Sequence, residues 1–370
     1  MAKHVGRGGR GGILEANPAR EPLETGPKLS FGHGPSIPGD RVLISCVVPD
    51  REPYRAEAEL LFKSVIAFGG ELGRAQRVAL FVESADPETA SRLNDMGVTV
   101  KTCAPVDDWE LHANKIRALS GEEDYDVLVV LDCDTVVARD FSSFLDGEGV
   151  AACPNARDPL GIELWERLFG YFGLELPAAR YREPHQLGET IPYFNSGVLI
   201  VPRRYTPQLA ESWTRHVHEL PKAYAALPDI RRTVLRGFRE DFILGDQIAL
   251  SLALAAERIP HRALPVELNF PTHHTWVRSF GSRDNTWDPY VLHYHHRRLH
   301  TGEVLPSSRY HNVNDTIREL NRCLFGSASR GRLATSFSTA LGWLHHYNTR
   351  RKKVLRRLIR RWSYRDGVRP

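Results

Sequence analysis

The sequence predicts an α/β fold, a doubly wound, mostly parallel sheet with helices on both faces. Two patterns predict it. From Arg41 onward, short apolar runs alternate with stretches in which apolar residues recur at helical spacing, the order expected of βαβ units. The strongest of these runs, Val127-Leu128-Val129-Val130-Leu131, has no polar residue to turn toward water, as a strand buried on both faces requires.

The first strand is Arg41-Val42-Leu43-Ile44-Ser45-Cys46-Val47-Val48. Ala58, Leu60, Leu61, Val65 and Ile66 then mark a helix,. Val78 to Val82 reads as a strand, Ala85 to Met96 as a helix and Val98 to Val100 as a strand. Val127 to Leu131 runs directly into Asp132-Cys133-Asp134-Thr135. Phe194 to Val201 is a later strand, the residues after Asp246 form a well-patterned helix, and Val291 to His295 is a short strand ending in polar groups. Phe337 to Tyr347 reads as a late helix.

The ends differ from this body. Residues 1–40 are rich in Gly, Pro and Arg and bury too little apolar surface to offset chain entropy, so a disordered arm is expected. The folded domain is expected over 41–325, followed by a helical basic tail over 326–370. Within that tail, Arg350 to Pro370 carries ten Lys/Arg and one Asp. The net charge of +4 is therefore a property of the tail and not of the body. Val354, Leu355, Leu358, Ile359 and Trp362 recur at helical spacing, with cations on the other face. Residues 349–362 thus suit an ordinary packed helix, an anionic membrane surface or a polyanion such as nucleic acid.

The 370 residues show no apolar run near the ~20 needed to span a bilayer,, and no secretory h-region. The five cysteines are odd in number and lack CxxC spacing, which reads as reduced thiols. The expected location is the cytoplasm, with peripheral contact at the inner membrane face through the basic tail.

Asp132 and Asp134 are two apart at a strand end, where open α/β sheets bind ligands. On an extended segment such side chains point the same way. Two hard oxygen donors suit Mg²⁺ or Mn²⁺ held together with substrate phosphates. An Asp at this place also caps turns and helices, so the pair alone does not decide.

The ordered set does more. Asp132-Cys133-Asp134, Pro192-Tyr193-Phe194-Asn195-Ser196-Gly197-Val198, Gly245-Asp246-Gln247 and His293-Tyr294 follow one another along the chain. Together they resemble the retaining GT-A glycosyltransferases that include glycogenin and the bacterial lipopolysaccharide galactosyltransferases, over roughly residues 41 to 300. The resemblance implies a GT-A, Rossmann-like fold and sugar transfer from a nucleotide-diphosphate sugar, UDP- or GDP-linked, to an unidentified acceptor. It implies that Asp132, Asp134 and His293 hold Mn²⁺ or Mg²⁺, with Asp132 also facing the donor ribose. Val48 and Asp50 would line the base pocket, and Lys115 would lie near the donor sugar or phosphates. Asn195, Ser196 and Gly197 would shape the sugar pocket, and Asp246 and Gln247 would sit under the anomeric carbon. The family's late histidine is normally followed by Gly and then Lys-Pro-Trp. Here His293-Tyr294-His295-His296-Arg297-Arg298 stands instead. Arg297 or Arg298 is the candidate replacement for the phosphate-binding lysine, and His295 competes with His293 as ligand.

Retention needs little general base. An inverting enzyme needs a carboxylate opposite the leaving group, for which Glu240 or Asp241 is available. Two other readings fit parts of the chain. Asp132-Cys133-Asp134-Thr135-Val136 matches the haloacid-dehalogenase phosphatase pattern, with Asp132 as nucleophile, although there the motif lies on the first strand. A non-catalytic nucleotide-sugar-binding protein is the other.

Overall fold

The computed structural model describes residues 37–326, apart from 108–109, 157, 185–187, 238–244, 273–286, 297, 300–301, 307 and 309. The expected arm and basic tail, the Phe337–Tyr347 helix, Glu240, Asp241 and Arg297 lie outside the described residues.

The strands are β1 (Val42–Pro49), β2 (Gln76–Val82), β3 (Thr99–Cys103), β4 (Val127–Leu131), β5 (Thr135–Val137), β6 (Val150–Pro154), β7 (Tyr181–Arg182), β8 (Glu189–Thr190), β9 (Phe194–Pro202), β10 (His261–Ala263), β11 (Phe270–Pro271) and β12 (Val291–His293). The α-helices are α1 (Tyr54–Phe68), α2 (Pro87–Asp95), α3 (Ile162–Tyr171), α4 (Thr206–Ala226), α5 (Pro228–Gly237), α6 (Gly245–Ala256) and α7 (His311–Phe325).

The main sheet has seven strands in the order β10-β6-β9-β4-β1-β2-β3. β9 runs antiparallel to β4 and β6, while the other pairs are parallel. The expected mixed, mostly parallel sheet is present. Alternation along each strand supplies two cores. Val42, Ile44, Cys46, Val127, Val129 and Leu131 pack with α1 residues Leu61, Phe62 and Val65. Leu43, Leu128 and Val130 face the other way, toward Trp165, Trp213, Val217 and the apolar side of α6. Helices on both faces explain why β4 is buried at every position.

Local signals set the helix ends. Asp86 caps α2 by accepting from Thr89 N at 2.9 Å, with Pro87 in the first turn,. α7 stops at Gly326, whose φ of 60° is open to glycine without strain,. A second, three-stranded sheet, β11-β12-β5, forms beside the first. β12 pairs antiparallel with β5, and His293 aligns with Thr135. That register carries the late histidine back to the end of β4.

Candidate active site

β4 ends at Leu131, and the acidic pair occupies a turn between β4 and β5 rather than an extended segment. Thr135 closes it, its backbone N–H and hydroxyl donating to Asp132 O at 3.1 and 2.7 Å. The turn, not a period of two, brings the carboxylates together. Asp134 is buried and Asp132 is partly open. His293 Nε2 lies 3.2 Å from Asp134 Oδ1. One ligand atom each from Asp132, Asp134 and His293 fall within 4.8 Å of one another. Two hard oxygens and one imidazole nitrogen at this spacing fit a divalent cation such as Mn²⁺ or Mg²⁺.

The tautomer of His293 follows from backbone anchors. Gly197 N can only donate, and it meets Asn195 Oδ1 at 2.9 Å. Asn269 Nδ2 donates to the same oxygen at 2.7 Å. Asn269 therefore turns its own oxygen to His293 Nδ1, 2.9 Å away. Nδ1 carries the proton, and Nε2 is left as the ligand atom. Asn195, expected in the sugar pocket, stands at the head of this relay. Gly197 has a steric reason: an added Cβ would lie 2.8 Å from His293 Cε1, so only glycine lets the ring approach.

Burial would lower the His293 pKa, but the Asp134 carboxylate outweighs it and raises it. Burial likewise opposes ionisation of Asp134, yet His293 holds that carboxyl far below the usual range. His295 stacks on His293 with ring centroids 3.9 Å apart. Burial, then the charge of His293, pushes it down to about 3. It lies outside the ligand cluster, which takes His293.

Lys115 is on a 3-10 run, Leu111–Ser120, and is buried. A solvated position is thereby excluded. Its Nζ lies 2.9 Å from Asp132 Oδ1, 2.9 Å from Ser196 Oγ and 3.7 Å from Asp246 Oδ2. Burial alone would lower its pKa; Asp132 and Asp246 outweigh that and raise it. Ser196 Oγ donates to Asp246 Oδ2 at 2.8 Å. Asp246 Oδ1 is buried and has no hydrogen-bond partner among the described residues. Trp213 Nε1 donates to Asp246 O at 2.7 Å, which ties the start of α6 to α4. Asp246 is thus more than a helix cap.

Gln247 is oriented by Asn155, which the sequence reading missed. Asn155 Oδ1 accepts from Ala156 N at 2.7 Å, so its amide N–H meets Gln247 Oε1. The Gln247 carbonyl is thereby engaged, and the amide nitrogen is the other polar end of the side chain.

The remaining candidates are Val48, Asp50 and Arg298. Val48 is fully buried in the core with α1, which removes its side chain as a pocket lining. Asp50 pairs with Arg55 Nε at 2.7 Å and accepts from Ser84 Oγ at 2.8 Å. Arg298 lies against Glu57, 3.5 Å away, and donates to Pro53 O at 3.2 Å.

Glu110 is a second residue that the sequence reading missed. It accepts from Gly245 N at 3.0 Å and from His112 N at 3.2 Å, joining α6 to the run that carries Lys115. Burial, then the charge of Asp246, pushes its pKa up to about 8. The folded protein thus keeps a proton that the unfolded chain releases near 4.5, so stability falls as pH rises from about 4.5 through about 8. Glu110→Gln is expected to flatten that fall. Thermal unfolding between pH 5 and 8 checks it, and an unchanged slope contradicts it.

These elements bring a carboxylate pair, a buried lysine and an imidazole together at the end of β4. The family model of the Rhodobacterales glycosyltransferase domain matches residues 45–257, more than half of the chain, and the chain belongs to that family. It is a glycosyltransferase. The matched segment contains every candidate from Val48 to Gln247 but not His293, whose place rests on the geometry above. No curated protein matches the chain. Among solved structures, the galactosyltransferase LgtC in complex with donor and acceptor sugar analogues is similar over 78% of this chain and 98% of that one, at 15% identity and a TM-score of 0.46. Mouse xyloside xylosyltransferase 1 in its apo form is similar over 69% and 97%, at 16% identity and 0.42. The glycosyltransferase GlyE of Streptococcus pneumoniae is similar over 75% and 59%, at 15% identity and 0.43.

Proposed function

We propose that this glycosyltransferase is divalent-metal-dependent, uses a nucleotide-diphosphate sugar, UDP- or GDP-linked, and retains the anomeric configuration. The observation that carries the proposal is the convergence of Asp132, Asp134 and His293 within 4.8 Å. When bound there, Mn²⁺ or Mg²⁺ supplies Lewis-acid neutralisation of the departing diphosphate.

The chain's own groups do the rest. Lys115 adds a fixed positive charge next to Asp132 and lies 3.7 Å from the buried Asp246. Asp246 offers its unpartnered Oδ1 to a sugar hydroxyl and so orients the ring. Gln247 presents its amide nitrogen, the carbonyl being held by Asn155. An oriented amide near the anomeric carbon suits a front-face attack, with the leaving phosphate taking the acceptor's proton. Arg298 is committed to Glu57 and the Pro53 carbonyl and reaches a phosphate only by leaving both. Nothing in the geometry favours a phosphohydrolase built on Asp132, which is paired to Lys115, or a binder without chemistry.

Among the described residues, no helix is long and apolar enough to cross a membrane. We propose that 349–362 serves as the peripheral membrane or polyanion contact; removal of 349–370 should then weaken vesicle or DNA binding.

The test is a panel of UDP- and GDP-sugars with Mn²⁺, read by thermal shift and by donor hydrolysis. One donor is expected to raise Tm and to hydrolyse slowly, and excess chelator to remove both effects. Hydrolysis that survives chelation contradicts the metal role. The anomer of the first-formed product, followed by NMR, decides retention.

A further inference from the structure

Glu110 holds two helical segments at once. Its Oε1 accepts from His112 N at 3.2 Å and so caps the 3-10 run Leu111–Ser120. Its Oε2 accepts from Gly245 N at 3.0 Å, on the first residue of α6 and 135 positions away in the chain. The first turn of a helix leaves N–H groups without partners inside the helix, and one carboxyl here serves two such ends. The residue is only 3% exposed.

Each segment delivers polar groups to the candidate site. Lys115 stands on the run that Glu110 opens, and Asp246 and Gln247 follow Gly245 directly. The two deliveries meet. Lys115 Nζ lies 3.7 Å from Asp246 Oδ2, and Ser196 Oγ is 2.9 Å from the first and 2.8 Å from the second. A short Ser, Asp or Asn caps its own helix equally well and does so without burying an acid near Asp246. The longer side chain adds reach to a second helix. The bond to His112 N fixes the rotamer, and the bond to Gly245 N makes the link. The start of α6 therefore cannot shift against the Lys115 run without breaking a buried hydrogen bond, which is costly.

We propose that Glu110 is a positioning residue for sugar transfer: its carboxyl fixes Asp246 and Gln247 relative to Lys115 through the backbone of Gly245, without touching the substrate. The proposal rests on the nucleotide-sugar reading above. It requires length and an acceptor oxygen at position 110, and not a negative charge.

The experiment uses the full chain with Mn²⁺ and each UDP- and GDP-sugar of the panel, and reads kcat and KM for donor hydrolysis per folded molecule. Mn²⁺ alone is titrated separately by loss of the free-ion EPR signal. Glu110→Asp keeps the charge and the local cap but is shorter by one carbon, about 1.5 Å, and loses Gly245. Glu110→Met keeps the length and has no acceptor oxygen. In both, kcat is expected to fall about tenfold to a hundredfold, the effect of a misplacement of about 1 Å, with KM changed less. Glu110→Gln keeps the length and an oxygen for Gly245 N, so its kcat should stay within about fivefold of wild type. Mn²⁺ affinity should stay within about twofold in all three, since Glu110 bonds to none of the metal-site residues.

Wild-type kcat per folded molecule in Glu110→Met and Glu110→Asp overturns the proposal and leaves Glu110 a cap that serves stability alone. A Glu110→Gln protein as slow as Glu110→Met also overturns it, because charge and not reach then acts. If Glu110→Asp does not fold, Glu110→Met against Glu110→Gln, equal in length, still decides. A wild-type chain that hydrolyses no donor of the panel overturns the nucleotide-sugar reading together with it.

Discussion

Asp134→Ala is expected to abolish sugar transfer, by about a thousandfold or more, while the protein stays folded. The carboxylate is one of two acids facing His293 Nε2 and is itself buried. Removing it leaves one oxygen donor and one imidazole, too few protein ligands for a hard cation that also binds substrate. The fold should survive because the partner left behind is a histidine. Asp134 is what raises the His293 pKa against burial. Without it burial favours the neutral ring, so no buried charge is stranded there,. The same pairing sets a pH dependence. A carboxyl held low in the folded state stabilises the protein above its unfolded pKa, and that contribution is lost as pH falls below it. The variant should therefore show a shallower loss of stability in acid. Donor hydrolysis, Mn²⁺ titration and circular dichroism check these points. Normal turnover in Asp134→Ala, or full activity in excess chelator, contradicts them.

Lys115→Met should have the largest effect on stability. The ammonium lies between Asp132 and Asp246, with Ser196 Oγ as a further partner. Asp246 has no solvent exposure, and Glu110 is close enough to have its pKa raised by it. Deleting the cation leaves a buried carboxylate uncompensated, which costs about 3–5 kcal/mol. For a domain of this size that corresponds to a fall in Tm of roughly 10 °C. Activity should fall about a hundredfold or more, since the charge nearest Asp132 is gone. Adding Asp246→Asn should restore much of the stability and none of the activity, because the buried charge, not the lost packing, is the cause. Denaturant unfolding of the two single variants and the double variant forms the cycle. A Lys115→Met protein as stable as wild type contradicts the buried-pair account.

Legibility in the sequence followed local strength of pattern. β4 and β9 are long apolar runs with no competing reading, and both stand within a residue of where the pattern places them. The Asp132–Asp134 pair is legible from its spacing at a strand end, and His293 joins it only through the family resemblance. What brings it together is the β5–β12 register, and three-residue strands leave almost no periodic trace. The extended geometry expected of Asp132–Asp134 fails because Thr135 closes a turn, an interaction invisible to hydrophobic patterning. Asn155, Asn269, Glu110 and Glu57 escaped notice for one reason. Each acts through a partner on another element, as Glu57 does on His296, 239 residues away. Single polar residues in a sequence carry no signal of such long-range pairing. Val48 lies on the expected strand, with its side chain in the core against α1.

The most direct measurement is the anomalous scattering of manganese in crystals grown with Mn²⁺ and a nucleoside diphosphate. The account predicts one strong peak bounded by an oxygen each of Asp132 and Asp134 and by His293 Nε2, with the diphosphate on its open side. A peak elsewhere, or a bound diphosphate with no manganese between it and these three side chains, contradicts it.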